Sequence, residues 1–122
     1  MPRASATSHE LSRIGLLAGL SGDRLALLAK RMERAEVAPG TVLMREGDRG
    51  DRFYVLFAGM LSVTQRDIGD RAVLRPGDYF GEVALAMDVP RTATISALTP
   101  AVVASCDRAT FDELIRPLFA DD

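Results

Sequence analysis

A short stretch of the sequence combines residue types that bind anions. Gly81 and Glu82 directly follow the aromatic pair Tyr79-Phe80, and Arg91 and Thr92 come after the next apolar run. A glycine lets a ligand approach the backbone, and the free amides at the start of a helix favour a negative charge. Arg91 adds a planar, permanently charged fork for two phosphate oxygens, whereas an ionised Glu82 only accepts hydrogen bonds and suits a sugar hydroxyl. The combination predicts a site for a phosphorylated sugar.

Each of these residues also has an ordinary structural interpretation. A Gly-Glu pair before an apolar run is usually a helix start, with the glutamate stabilised by the helix dipole. An isolated arginine such as Arg91 is more often a surface residue paired with a carboxylate, and such a pair contributes only about 0 to 1 kcal/mol. If Arg91 exists for the ligand, removing it is therefore expected to change the stability of the unliganded protein little. The order of the residues within a β-rich region favours the ligand interpretation.

The elements that position these residues follow from periodicity and turn signals. Apolar residues from Leu11 to Leu17 and from Leu25 to Met32 recur at helical spacing, which predicts two N-terminal helices, the second capped by Ser21. Beyond Glu36 the pattern changes to short β runs. The eight predicted strands contain Val37, Thr41 to Met44, Phe53 to Phe57, Met60 to Arg66, Arg71 to Leu74, Tyr79 to Phe80, Thr92 to Leu98 and Ala101 to Cys106. They predict an α+β fold with an eight-stranded antiparallel β-roll that resembles a jelly roll.

Two more helices complete the predicted fold. Glu82 to Met87 consists of good helix formers and predicts a short helix between two strands. Asp107 to Phe119 places Phe111, Leu114 and Ile115 on one face and predicts a C-terminal helix that Asp107 caps. Pro117 is expected to kink or end this helix because it lacks a backbone donor.

Length and charge limit the classes of protein to which this chain can belong. A chain of 122 residues fits one domain, predicted as residues 11–122 after a flexible leader of residues 1–10. Its formal charge of −2 lacks the basic excess needed to bind nucleic acid directly. No apolar run approaches the roughly 20 residues of a membrane span, and no secretory signal is present. The sequence predicts a cytoplasmic protein, or the cytosolic part of a larger protein, which includes membrane proteins.

The single cysteine and the single histidine carry no predicted chemistry. Cys106 ends an apolar run that begins at Val102, and His9 lies in the leader. One cysteine forms no internal disulfide, and a cysteine in an apolar strand is most often a small core residue. We therefore predict no catalytic residue, no metal site and no cofactor.

The stretch from Phe80 to Thr94 closely resembles the phosphate-binding cassette of cyclic-nucleotide-binding domains. Such domains occur in protein kinase A regulatory subunits, cyclic-nucleotide-gated channels and bacterial transcription regulators. The resemblance rests on Phe80-Gly81-Glu82-x-Ala84-Leu85 and Pro90-Arg91-Thr92-Ala93-Thr94. Supporting similarity lies in Leu16-Leu17-x-x-Leu20, Pro39-Gly40, Glu46-Gly47-Asp48, Gly59, Pro76-Gly77-Asp78 and Asp107-Arg108.

The resemblance implies that cAMP or cGMP is the ligand. By that resemblance Glu82 binds the ribose 2′-hydroxyl and Arg91 the equatorial and axial phosphate oxygens. Backbone amides near Ala84, Leu85 and Ala93 complete the phosphate cradle.

The resemblance also implies which residues lie near the base of the nucleotide. Gly81 gives the ligand room at the backbone, and Val63 is the expected apolar contact of the base. The hydroxyl of Thr92 can bond the guanine 2-amino group, so the sequence leaves cAMP and cGMP open.

The implied function is a non-catalytic sensor that controls a fused or partner effector. Signalling members usually carry a longer final helix that covers the base; here such a lid is expected to be cut off, supplied by a partner, or missing. The first alternative is a degenerate β-roll interaction domain that binds no nucleotide, but such domains normally lose the arginine. The second is a cupin-like metalloenzyme, which needs several histidine and carboxylate ligands in the barrel. The oligomeric state and the effector stay open.

Overall fold

The computed structural model describes residues 5–67 and 69–119. The helical elements are α1 (Ser8–Leu11), a 3₁₀ helix (Gly15–Gly19), α2 (Gly22–Arg31), α3 (Glu82–Met87), α4 (Arg108–Thr110), a π-helical turn (Phe111–Ile115) and a 3₁₀ helix (Arg116–Phe119). The strands are β1 (Glu33–Val37), β2 (Val42–Met44), β3 (Arg52–Ala58), β4 (Leu61–Gln65), β5 (Gly69–Leu74), β6 (Tyr79–Phe80), β7 (Thr94–Ala97) and β8 (Ala101–Asp107). The predicted α+β fold is confirmed.

In the described part of the chain, eight strands form two four-stranded antiparallel sheets. Their orders are β1-β8-β3-β6 and β2-β7-β4-β5, so strands distant in sequence pair at the centre of each sheet. Side chains along the strands of the first sheet alternate between two apolar cores. One core, which includes Phe53, Val55 and Cys106, packs the first sheet against the helices. The other, which includes Leu56, Leu61 and Ile95, fills the space between the sheets.

The first predicted helix is not continuous. α1 ends at Leu11, and a 3₁₀ helix follows in which the amide of Leu17 donates to the carbonyl of Ile14. Leu11 ends α1, Ile14 is the N-cap of the 3₁₀ helix and Leu17 lies within it, and all three are buried. The apolar spacing therefore marked a buried face, but two short elements form that face instead of one helix.

Part of the predicted leader contacts the domain. Ser5 pairs with Glu33 beside the first sheet, and Ala6 is buried. Thr7 caps α1 in a capping box with Glu10. Residues 1–4 lie outside the described part of the chain, so flexibility of the leader stays a prediction.

The C-terminal helix is broken into three short elements. Asp107 is its N-cap as predicted, because its side chain accepts a hydrogen bond from the amide of Thr110. Pro117 cannot donate to the carbonyl of Glu113, and Arg24 donates to that oxygen instead, at 2.9 Å. The loss of regular α-helix near Pro117 follows from this missing donor. No helix in the two described ranges is long and apolar enough to cross a membrane.

Candidate functional site

The site lies where β6 ends and α3 begins. Gly81 joins them with φ of 92°, in the left-handed region that side chains disfavour. A Cβ atom here would lie 2.8 Å from the carbonyl oxygen of Arg52 and 3.0 Å from Nη1 of Arg91. The position therefore requires glycine for both backbone conformation and space. Gly81 also offers no side chain to cap α3, so no N-cap side chain competes with a ligand for the amides of its first turn.

Arg91 is fixed at the centre of the site. Its side chain donates from Nη1 to the carbonyl oxygen of Gly81 at 3.0 Å and from Nη2 to that of Arg52 at 2.9 Å. Its amide donates to the carbonyl of Asp48, and its own carbonyl accepts from the amide of Gly47, each at 2.8 Å. Both the backbone and the guanidinium of Arg91 are thus held before any ligand arrives.

Burial of Arg91 overturns one expectation from the sequence. The residue is only 6% exposed, not a surface residue, and burial lowers the pKa of its guanidinium. Tyr54, Asp51 and Glu82 act in the opposite direction on that pKa. Removing Arg91 would leave two carbonyl oxygens without their donor, so its substitution must affect the stability of the unliganded protein.

Glu82 is the first residue of α3 and is half-buried. Burial raises the pKa of its carboxyl above the ordinary value of 4.5, while a hydrogen bond from its own amide and the nearby charge of Arg91 lower it. Because burial is the largest of these effects, the ionised carboxylate is costly in the unliganded protein. A hydroxyl donor from a ligand would offset that cost.

Gly50 is a site residue that sequence reasoning missed. A Cβ atom on Gly50 would lie 2.7 Å from Cζ and Nε of Arg91 and 2.7 Å from Cβ of Ala84. The backbone of Gly50 therefore packs against the guanidinium and α3 at once. The sequence offered only a weak signal, a second glycine shortly after Gly47 in a segment that reads as a polar turn.

A cavity of about 200 Å³ brings most of the predicted ligand residues together. Its lining includes Gly81, Glu82, Ala84, Arg91, Thr92, Ala93 and Val63. One wall is therefore polar and charged, and the opposite wall is apolar.

The apolar wall comes from the second sheet. Met44, Leu74 and Ile95 line the cavity beside Val63. These side chains can take a flat, weakly polar group such as a nucleobase.

Two predicted ligand residues differ from the rest of the set: Thr92 lines the cavity but is exposed, and Leu85 does not line it. Thr92 is exposed, and its carbonyl accepts a hydrogen bond from Nε2 of Gln65 at 2.9 Å. Leu85 is 1% exposed and belongs to the helix-side core, not to the cavity lining. Its backbone remains close to the site through α3.

The C-terminal segment is bonded to the end of α3. Arg116 donates to the carbonyls of Leu85 and Ala86 at 3.0 and 3.1 Å, and Asp112 holds its guanidinium. Arg108 donates to the carbonyls of Leu85 and Gly50 at 3.3 and 3.2 Å. The bonds to Leu85 and Ala86 satisfy carbonyls that the end of α3 leaves without partners.

Cys106 is fully buried, and burial raises the pKa of its thiol to about 12. A thiol with this pKa stays protonated at neutral pH and is a poor nucleophile. Among residues 5–67 and 69–119, no group of histidine, cysteine, aspartate or glutamate side chains could hold a metal ion.

The chain belongs to the cyclic nucleotide-binding domain family. The sequence profile of that family, described as cyclic nucleotide-binding domain, matches residues 34–117, which include both sheets and the whole cassette.

Among individual proteins, the chain is 37% identical to the cGMP-dependent protein kinase egl-4 of Caenorhabditis briggsae, over 97% of this chain and 17% of that protein. The cAMP-bound structure of PfPKA-R has a TM-score of 0.87 and 28% identity, over 92% of this chain and 39% of that one. The regulatory subunit of a cAMP-independent protein kinase A from Trypanosoma brucei has a TM-score of 0.87 and 26% identity, over 91% and 41%. The chain thus spans well under half of each of these proteins.

Proposed function

We propose that the chain binds cAMP or cGMP at the cassette and transmits its occupancy to an effector. The observation that carries the proposal is the fixed guanidinium of Arg91 beside the uncapped first turn of α3. Two of its five N–H groups bond to backbone carbonyls, and the others can serve a cyclic phosphate. Family membership supports the same ligand class.

The proposed pose follows from the two walls of the cavity. The phosphate accepts from Arg91 and from amides of α3 near Ala84, while the ribose 2′-hydroxyl donates to Glu82. The base lies on the apolar wall that includes Val63. This pose gives the phosphate and the ribose 2′-hydroxyl partners of matching chemistry.

The proposal also covers which nucleotide binds and which effector responds. The relatives include a protein named as cGMP-dependent and a structure that holds cAMP. We favour cAMP with cGMP also bound. The effector is a kinase or another protein region that a longer relative carries beyond the shared domain, and this domain itself is expected to have no catalytic activity.

The alternative is a domain of the same fold that does not respond to cAMP. The Trypanosoma brucei subunit, named as cAMP-independent, shows that this fold alone does not decide the ligand. Arg91 favours nucleotide binding in this chain, as do Gly50 and Gly81, which leave room for its guanidinium.

Calorimetric titration with cAMP and cGMP tests the proposal. We expect saturable heat with a dissociation constant in the micromolar range or below, equivalent to about 8 kcal/mol of binding free energy. The melting temperature should rise with ligand concentration because ligand binds only the folded state. No heat and no thermal shift at millimolar concentrations of both nucleotides would overturn it.

Glu82→Gln should separate stability from binding. The amide keeps the shape but carries no charge, so the unliganded protein should be as stable as the wild type or more so, while cAMP binds about tenfold more weakly. The pKa of Glu82 is raised by folding, so the carboxyl favours the folded state most below pH 4.5 and loses that contribution as the pH rises through the folded pKa. The stability gain of Glu82→Gln should therefore grow over the same pH interval.

Denaturant unfolding between pH 4 and 8 measures the stability gain, and titration with cAMP and 2′-deoxy-cAMP measures the binding loss. The loss of affinity should be smaller for 2′-deoxy-cAMP, because this ligand lacks the 2′-hydroxyl that is proposed to donate to Glu82. Glu36→Gln, at an exposed position on β1, is the matched control and should change neither the stability nor the affinity for the two ligands. Equal losses for both ligands would show that Glu82 does not bind the sugar.

Thr92→Ala should lower the affinity for cGMP more than for cAMP. The exposed hydroxyl can accept from the guanine 2-amino group, and adenine has no group at that position. The expected loss for cGMP is about fivefold, the value of one neutral hydrogen bond. Parallel titrations decide it: the same loss for both nucleotides would remove Thr92 from base recognition.

A further inference from the structure

A second cavity lies on the helix-packed side of the first sheet, away from the cassette. Its volume is about 400 Å³, twice that of the cassette cavity, and the two share no lining residue. Its walls come from the N-terminal segment, from the ends of β1, β3 and β8, and from the turn at Pro76-Gly77. Nothing in the proposed cassette function uses it.

The floor of this second cavity is apolar because the helices leave one end of the sheet open. Ile14 is fully buried beneath it. Phe57, near the end of β3, and Val102, near the start of β8, line it and are only half-buried. Apolar side chains held at a concave surface gain free energy when a hydrocarbon group covers them.

The charged side chains at its rim differ in whether another residue already binds them. Nε of Arg34 donates to Oε2 of Glu10 at 3.0 Å, and Oε1 of Glu10 accepts from the amide of Thr7 at 3.2 Å. Arg34 also lies 3.9 Å from Glu36. Arg13 also lines the cavity, and its side chain has no hydrogen bond or ion pair with any residue in the described ranges. The rim therefore offers one engaged ion pair and one free guanidinium.

We propose that the second cavity binds a small amphipathic carboxylate, with its carboxylate on Arg13 and its hydrocarbon chain against Ile14, Phe57 and Val102. A free guanidinium beside an apolar floor complements one negative charge on an apolar body. A cyclic nucleotide fits this floor less well, because the carboxylate of Glu10 is already engaged and a ribose would meet mainly apolar side chains. Fatty acids and aromatic acids share the required chemistry.

Titration of the methyl-labelled protein with octanoate tests the proposal by nuclear magnetic resonance. The cassette is first saturated with cAMP, so that it cannot accept the probe. We expect saturable shifts of the Ile14 and Val102 methyl signals while that of Val63 stays in place. In wild type, octanoate should bind about threefold more tightly than neutral 1-octanol, since a pair between a carboxylate and the exposed guanidinium of Arg13 contributes about 0 to 1 kcal/mol.

Variants make the result decisive. Arg13→Gln should abolish the preference for octanoate over octanol without changing cAMP affinity. Arg66→Gln, the same change in an exposed turn outside the cavity, should leave the preference intact. An equal affinity of both probes for the wild type, shifts of Val63 instead, or no saturation would overturn the proposal. So would self-association of the protein through this face, measured by sedimentation, because a second copy would then be the occupant.

Discussion

Arg91→Ala should produce the largest loss of nucleotide affinity, about 100-fold or more, and Arg91→Lys a smaller one. The alanine variant would lose the two charge-assisted bonds proposed to the phosphate, each worth about 1.5 to 3 kcal/mol. Lysine keeps the charge but has no planar fork, so it can replace only part of the contact. The expected order of affinity is wild type, lysine, alanine.

The same substitutions should also lower unliganded stability, because Gly81 and Arg52 lose the donor to their carbonyls. For Arg91→Ala the expected decrease in unfolding free energy is about 2 to 4 kcal/mol, the cost of two buried unpaired acceptors. The ligand-induced rise in melting temperature, not the melting temperature itself, must therefore rank affinity. Arg13→Ala, outside the cassette, is the control. A folded Arg91→Ala protein that kept the full ligand-induced rise would disprove the phosphate assignment.

Gly50→Ala should weaken nucleotide binding almost as strongly, although Gly50 makes no proposed contact with the ligand. The added methyl group would lie 2.7 Å from two atoms of the Arg91 guanidinium and from Cβ of Ala84. Such contacts force the guanidinium or α3 to move. Each charge-assisted bond proposed between the guanidinium and the phosphate is worth about 1.5 to 3 kcal/mol, so misplacing one of them should lower the affinity about 10- to 100-fold. Titration with cAMP measures this loss.

Gly22→Ala is the matched control for Gly50→Ala. Neither glycine has a left-handed φ, so alanine is compatible with both backbones, and a Cβ atom on Gly22 would meet nothing within 4 Å. Gly22→Ala should keep cAMP affinity and change stability by less than about 1 kcal/mol. If both variants bound alike, the packing of Gly50 on Arg91 would be irrelevant to the site.

Local patterns predicted the elements of the site better than its contacts. α3 has the bounds that its helix formers predicted, and Ser21 and Asp107 are the caps that their positions predicted. These features depend on neighbours in sequence. Pairing between distant strands has no such local signal, so β1 begins at Glu33, before the single residue Val37 that the sequence had marked.

The burial of Arg91 also escaped sequence reasoning for a physical reason. Its two acceptors belong to β3 and to the β6–α3 junction, and Gly50 approaches it from a loop. Composition alone places arginine at the surface. Only the folded chain shows that three separate segments enclose its side chain.

The two carbonyl bonds of Arg91 have a consequence for the entropy of binding. A free arginine side chain loses about 1.5 to 2 kcal/mol of rotamer freedom when it is ordered. In this protein that freedom is lost when the chain folds, because Gly81 and Arg52 already hold the guanidinium. A nucleotide bound as proposed would meet an ordered side chain and avoid a penalty of about tenfold in affinity.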